Sequence, residues 1–350
     1  MGSEPASEVT VAFRSSLDIE AWPQRHARGE VPDAWPYGLD KLAEFAGGLH
    51  PASLPEPGRW KRATARTRTR RAPAPDGTRQ IGIAWDEHMA HRMLVLAPKP
   101  EMHSGAIWVT DLLAANPRDA TAARQLRTLR QMDGIFVNSR AQLEVLEHAL
   151  TGSDTRLSFL PFGIDADFFS PAPYPERPLL VSCGGDRDRD PATLFEALAQ
   201  VHAARPDVEI VVQSTSQATP PAGVQRVPRM THSELAALYR RATAVVVATR
   251  PNLHMSGLTV SLESMATARP VVLTATPGVD DYFRDGDTAL LATVADAASV
   301  ADRVLTLLGD PAAAAAMGVR ARAQVEARFT TTHLARAIAA AVGLPGAVAQ

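Results

Sequence analysis

Short apolar runs, each followed by a small-residue or polar joint and then a stretch of helical periodicity, recur along this chain. The rhythm is clearest in the C-terminal half, where 179–183, 208–213, 226–230, 243–249 and 270–273 read as strands. Runs this brief and this continuous are expected of strands covered on both faces. Asp190 and Pro191 read as N-cap and first residue of a helix reaching about His202. Thr231 with Glu234 forms a capping-box pattern for a helix ending near Ala242. The stretches 296–308, 311–328 and 331–342 read as closing helices. Strands alternating with helices predict a parallel, doubly wound sheet whose ligand lies beyond the carboxyl ends of its strands.

The N-terminal half repeats the pattern with longer joints. Strands are expected at 9–13, 80–85, 105–110, 134–137 and 156–160, with helices beginning near Asp119 and Ser139. The stretch 18–38, holding Trp22-Pro23 and Trp35-Pro36-Tyr37-Gly38, is loop-rich, and irregularity of that length is usually functional or disordered. Four prolines within 171–178 mark the best linker. The expected division is therefore 1–174 and 175–330, with a terminal helix in 331–350 packing back toward the first domain.

Composition narrows the function classes. A chain of 350 residues is too long for one ordinary core and fits two α/β domains. With 45% apolar residues and a net charge of −2, neither disorder nor a nucleic-acid partner is indicated. The single cysteine, Cys183, excludes an internal disulfide and reads as core packing; no Cys/His cluster has zinc spacing. No apolar run approaches the eighteen or so residues of a membrane span, and the polar opening 1–8 does not read as a secretory signal. A cytoplasmic setting is the expectation. The run 59–71, with Arg59, Lys61, Arg62, Arg66, Arg68, Arg70 and Arg71, reads as a solvated loop in preference to a weak peripheral membrane contact, because Trp60 is its one bulky apolar residue.

The candidate chemistry gathers in the second half. His254-Met255-Ser256-Gly257-Leu258-Thr259 opens a helix directly after an apolar strand. The first N–H groups of such a helix have no internal partner and point at an anion, which suits a diphosphate. Glu263, one and a half turns further on, can accept hydrogen bonds from a ribose. Gly184-Gly185-Asp186-Arg187-Asp188-Arg189 follows another strand, and Arg189 is the better candidate for bidentate phosphate binding. Each has a plainer reading: Gly257 as a turn, Glu263 as a solvated helix carboxylate, Arg187 and Arg189 paired with their aspartates, and Asp86, Glu87 and Asp111 as loop caps. His88 and His91 could share a helix face for a metal, but no third ligand is evident. Trp22, Trp35, Tyr37 and Trp85 could form an apolar wall against a ring.

Three segments carry a family resemblance. Phe162-Gly163-Ile164-Asp165-Ala166-Asp167-Phe168-Phe169-Ser170-Pro171 is similar to a strand-exit element of family 4 retaining glycosyltransferases of the GT-B fold. Residues 258–272, Leu-Thr-Val-Ser-Leu-Glu-Ser-Met-Ala-Thr-Ala-Arg-Pro-Val-Val, resemble that family's donor-site helix and following strand, and 277–291 its next loop. The resemblance covers the C-terminal half well and the N-terminal half mainly through strand order and Val137-Asn138-Ser139.

It implies two Rossmann-like doubly wound domains facing a central cleft, the first binding an acceptor and the second a nucleotide-diphosphate sugar. The implied reaction is front-face transfer of a sugar to a hydroxyl with retention of configuration, closure of the cleft excluding water. No cofactor and no metal are implied; donor and acceptor are small molecules. Asp111, Arg189 and Glu263 are the implied catalytic residues, and Gly184, Gly185, Arg187, Arg189, Arg229, Met230, His254, Ser256, Gly257, Leu258, Thr259 and Glu263 the donor contacts, with the base read near Arg229-Met230. Arg14, Trp85, Asp86, Glu87 and Asp111 are the implied acceptor contacts.

The chain departs from the family in three places. The usual leading Glu of the donor helix falls on Met255, with His254 and Ser256 flanking it as substitutes. The usual Arg and Lys after the glycine loop are represented only by Arg187 and Arg189, and the His after the fourth strand by Thr110-Asp111. The rival reading is a noncatalytic GT-B protein that binds a nucleotide sugar or assists a partner transferase. A dehydrogenase is disfavoured because Cys183-Gly184-Gly185-Asp186 lacks the spaced glycines of a dinucleotide site.

Overall fold

A computed structural model describes residues 7–58 and 76–347, so the basic run 59–71 lies outside the described residues. The chain forms two compact units. One comprises Met1–Gln24, Ala34–Pro161 and Thr332–Gln350; the other comprises Arg25–Asp33 and Phe162–Thr331.

The first unit is built on six parallel strands: β1 (Ser7–Arg14), β2 (Gly48–Leu54), β3 (Arg79–Ala84), β4 (Glu101–Gly105), β5 (Gly134–Val137) and β6 (Arg156–Phe159), in the order β2-β1-β3-β4-β5-β6. Helix α1 (Trp22–Ala27) and a 3-10 segment (Pro36–Glu44) precede β2. Helices α2 (Glu87–Leu96), α3 (Val109–Ala115), α4 (Ala120–Leu129) and α5 (Ala141–Ala149) connect the later strands. Ile135, Val137, Met89, Met93, Leu129 and Leu146 belong to one buried apolar cluster. The strand order reverses between β1 and β3, placing Arg14 and Trp85 at the switch point where open sheets take ligands.

The second unit holds β7 (Leu179–Cys183), β8 (Glu209–Gln213), β9 (Val224–Val227), β10 (Ala244–Val247), β11 (Val271–Thr274) and β12 (Leu290–Ala292), all parallel and ordered β12-β11-β10-β7-β8-β9. Its helices are α6 (Pro191–Ala204), α7 (His232–Arg241), α8 (Leu258–Ala266), α9 (Ala297–Gly309) and α10 (Pro311–Arg328); α11 (Thr331–Ala341) belongs to the first unit from Thr332 onward. The expected caps form: Asp190 accepts from the Thr193 N–H, and Thr231 and Glu234 make the complete capping box. Order reverses between β7 and β10, so the glycine loop after one and the loop before α8 meet at a switch point.

Several expectations required correction. β2 was missed because its Gly-Leu-His-Pro-Ala-Ser-Leu sequence breaks the apolar pattern; it is an edge strand, where a proline is tolerated. The strand expected at 105–110 is β4 at Glu101–Gly105, and Thr110 and Asp111 lie in the first turn of α3. Its polar His103 and Ser104 are buried in the sheet, which hid it from a hydropathy reading. The strand expected at 226–230 is β9 at Val224–Val227, leaving Arg229 and Met230 in the joint before α7.

The proline-rich stretch 171–178 lies inside the second unit. Buried Arg269 donates to the carbonyls of Ala172 (3.0 Å), Pro173 (2.7 Å) and Arg240 (2.6 Å), which ties that stretch down. Arg322 similarly holds the carbonyls of Ala166 (2.6 Å) and Phe169 (3.0 Å).

Candidate active site

In the second unit the site is organised around one cation. Gly184 leaves β7 with φ 138°, and Gly257 caps α8 with φ 86°, conformations that favour glycine. The Arg189 guanidinium occupies the space that a side chain at either glycine would need: a Cβ on Gly257 would lie 3.1 Å from its Nη1, and one on Gly184 would collide with it. Two loops separated in sequence thus close on a single guanidinium, which also donates to the Cys183 carbonyl at 2.8 Å. Burial pulls Arg189 below the ordinary arginine range, with Asp186 only partly opposing it. A cation so poorly compensated favours an incoming anion.

Asp186 fastens the glycine loop to the loop before α8. It accepts from Ser256 Oγ at 2.6 Å and lies 3.3 Å from His254 Nε2. Burial alone would push its carboxyl up; the hydrogen bonds from His254 and Ser256 and the charges of His254 and Arg189 outweigh that and hold it well below the usual carboxylate range. His254 and Ser256 therefore both face the glycine loop, whereas Met255, at φ 55°, is buried with its sulfur 3.7 Å from Thr276 Oγ1. Asp186, Asp188 and His254 bring ligand atoms within 4.8 Å of one another, the one such grouping found among the described residues. Sequence reading missed it because His254 lies 68 positions beyond Asp186.

Helix α8 is buried from Ser261 to Ala266, which puts Glu263 inside the unit at 6% exposure. Burial pushes its carboxyl up to about 8. Tyr239, from α7, sets its phenol against the Glu263 carboxyl and the Cys183 thiol, and burial pushes that thiol up to about 12. Cys183 is consequently an inert core residue. At the mouth of α8 the Leu258 N–H bonds the Met255 carbonyl at 3.0 Å, which removes it as a diphosphate donor. The Gly257 and Thr259 N–H groups are left in the positions that a helix start leaves open. Arg187 is exposed and paired with Asp188 at 3.0 Å. Exposed Arg229 and partly buried Met230 stand beside His232, whose pKa is lowered by burial first and then by the charges of Arg25 and Arg229.

In the first unit the expected acceptor residues gather at the switch point, but most are already engaged. Asp86 caps α2 by accepting from the His88 and Met89 N–H groups and pairs with Arg14 at 2.9 Å. Glu87, 1% exposed, accepts from the N–H groups of Ile107, Trp108 and Val109 at 2.8–3.0 Å, so it caps α3 from a neighbouring helix. Burial raises its pKa despite those bonds. Trp85 stacks flat on Tyr37, ring centroids 4.0 Å apart, and Trp35 meets Phe13 edge-on. Trp22 is buried and takes no part in an exposed wall. Asp111 is partly exposed in the first turn of α3, and the His88 ring lies 5.6 Å from the Trp108 ring, tilted to it.

Residues 177–310 match the glycosyl transferases group 1 family. The second unit contains a group 1 glycosyltransferase domain. This bears out the resemblance carried by the α8 segment, and the curated relatives agree. A D-inositol 3-phosphate glycosyltransferase of Mycolicibacterium paratuberculosis is 28% identical over 235 residues, covering 60% of this chain and 52% of the relative. An alpha-maltose-1-phosphate synthase of Mycolicibacterium smegmatis is 26% identical, covering 57% and 60%. This chain thus spans about half the length of the curated relatives it matches.

Among solved structures, sucrose-phosphate synthase of Thermosynechococcus elongatus superposes with a TM-score of 0.68 at 17% identity, over 96% of this chain and 98% of that one. The Anabaena protein HepE, solved with UDP and glucose, gives 0.67 at 14%, over 96% and 99%. With two parallel six-stranded sheets, the chain has the GT-B fold. No helix among the described residues is long and apolar enough to cross a membrane.

Proposed function

We propose that this protein transfers a sugar from a nucleoside-diphosphate sugar to an acceptor hydroxyl with retention of configuration, the second unit holding the donor and the first the acceptor. The observation that carries this reading is Arg189, seated between Gly184 and Gly257 at the switch point and short of anionic compensation. A diphosphate would receive its guanidinium fork together with the open N–H groups and positive end of α8. Breaking the sugar–phosphate bond builds negative charge on the departing phosphate, where such prearranged donors act most strongly. The acceptor hydroxyl attacks from the leaving-group side, and its proton passes to that phosphate, so no separate protein base is required. Glu263 holds the ribose from within α8.

The Asp186–Ser256–His254 lock supports this reading by keeping both loops in place. The noncatalytic alternative draws on Met255, buried where a sugar-contacting carboxylate would otherwise stand. Nucleotide release from UDP-glucose and GDP-mannose, measured with and without acceptor, separates the two. Release that is lowered at least about a hundredfold by Arg189→Ala is the expected outcome. Nucleotide-sugar binding without any release would leave only the noncatalytic role, and a Glu263→Ala variant with undiminished nucleotide affinity would remove the donor assignment itself.

A further inference from the structure

We propose that Tyr239 is a positioning residue for nucleotide recognition: its buried phenolic hydroxyl turns the Glu263 carboxylate toward the ribose. This rests on the transferase reading above, in which Glu263 holds that ribose, and Tyr239 acts through Glu263 rather than on the substrate.

Tyr239 is wholly buried on α7, a helix that packs against both β7 and α8. The chain segment beside it fixes its ring. The neighbouring Arg240 donates to the carbonyls of Phe168 (2.9 Å) and Ser170 (3.2 Å), and Arg322 to that of Phe169 (3.0 Å), which keeps the Phe169 ring centroid 6.3 Å from that of Tyr239. The hydroxyl so placed faces the Glu263 carboxyl and the Cys183 thiol, yet among the described residues it completes no hydrogen bond. A buried hydroxyl in that state is costly, and phenylalanine would fill the same space without the penalty. A partner that forms when the ligand binds accounts for an oxygen that costs stability in the ligand-free chain.

That partner is the ionised Glu263. Burial holds its carboxyl protonated up to about pH 8 in the ligand-free protein. Ribose hydroxyls donating to it favour the carboxylate, its proton passing to solvent, and a phenolic O–H beside it pulls the same way. Tyr239 then donates to one carboxylate oxygen, which leaves the other directed at the 2′- and 3′-hydroxyls. The remaining titratable groups packed there do not replace it. Burial pushes the Cys183 thiol up to about 12, so it stays neutral, and the Arg189 guanidinium is held at the two glycine joints.

Titration calorimetry on the full chain tests this with UDP, GDP and their 2′-deoxy forms. The original chain is expected to bind the ribonucleotide it accepts at least about tenfold more tightly than the 2′-deoxy form, since a site built to hydrogen-bond a hydroxyl rejects the analogue without it. In Tyr239→Phe that preference should shrink at least about threefold through lost ribonucleotide affinity alone, with 2′-deoxy affinity and the urea midpoint undiminished. A purely structural role would weaken both forms alike. That result, an intact preference, or a lowered midpoint in Tyr239→Phe overturns the proposal. Glu263→Ala separates the two layers. Preference lost there but intact in Tyr239→Phe removes Tyr239 alone, whereas preference intact in Glu263→Ala, or no ribose preference or nucleotide binding in the original chain, removes the Glu263 assignment on which the proposal rests.

Discussion

Glu263 concentrates the residue-scale argument, because its surroundings oppose the charge its side chain ordinarily carries. With burial lifting its carboxyl to about 8 from an ordinary 4.5, the folded protein binds a proton that the unfolded chain releases throughout that interval. The associated stability is complete below pH 4.5 and is lost as pH rises through 8. We expect the ligand-free protein to become less stable between pH 5 and pH 8, Glu263 contributing on the order of a few kcal/mol. Glu263→Gln, which keeps the shape and removes the titration, should flatten that part of the profile in thermal unfolding followed across pH. An undiminished slope in the variant would assign it elsewhere. The type and place of this residue were readable from the α8 motif, but its protonation was not, since that depends on Tyr239 and the walls of a different helix.

At the scale of elements, the site consists of two joints whose shape depends on glycine. Gly257→Ala forces a side chain to φ 86° and drives its Cβ into Val247 Cγ1 and against Arg189. The expected loss is about 1–3 kcal/mol of stability. Nucleotide-sugar affinity measured by calorimetry should fall with it, by more than a stability-matched variant in α10 would cause. Equal affinity in those two variants would detach the joint from the donor. Capping motifs made many element starts legible, as at Asp190 and Thr231, because a cap acts within one turn of chain. β2 and β4 were hidden because a strand's partner is remote in sequence, so that Pro51 and His103 are acceptable for reasons of sheet position that local pattern does not contain.

Over the whole molecule, Arg269 acts through connectivity rather than chemistry. Its guanidinium is buried on three carbonyls from two segments, and Arg269→Met would leave those acceptors unsatisfied. A destabilisation of about 3 kcal/mol or more is expected in urea denaturation, since each buried acceptor left unsatisfied costs about 1–3 kcal/mol. A nucleotide sugar at about a hundred times its Kd should restore some 2.7 kcal/mol of this if it binds the folded state alone. Failure of the ligand to raise the midpoint would mean that the variant no longer builds the donor site.

The sequence by itself determined two parallel sheets, the helix caps, the glycine joint at α8 and the family of the second half, because each follows from periodicity or from residues within a few positions of one another. Tertiary structure alone decided that Arg189 closes both glycine joints, that Asp186 recruits Ser256 and His254, that Asp86 and Glu87 serve as caps, and that Tyr37 lies flat on Trp85. Those are relations across tens of residues, set by which strand ends the sheet order brings side by side. A side chain's charge state, remaining hydrogen-bond capacity and exposure all depend on what the fold places next to it.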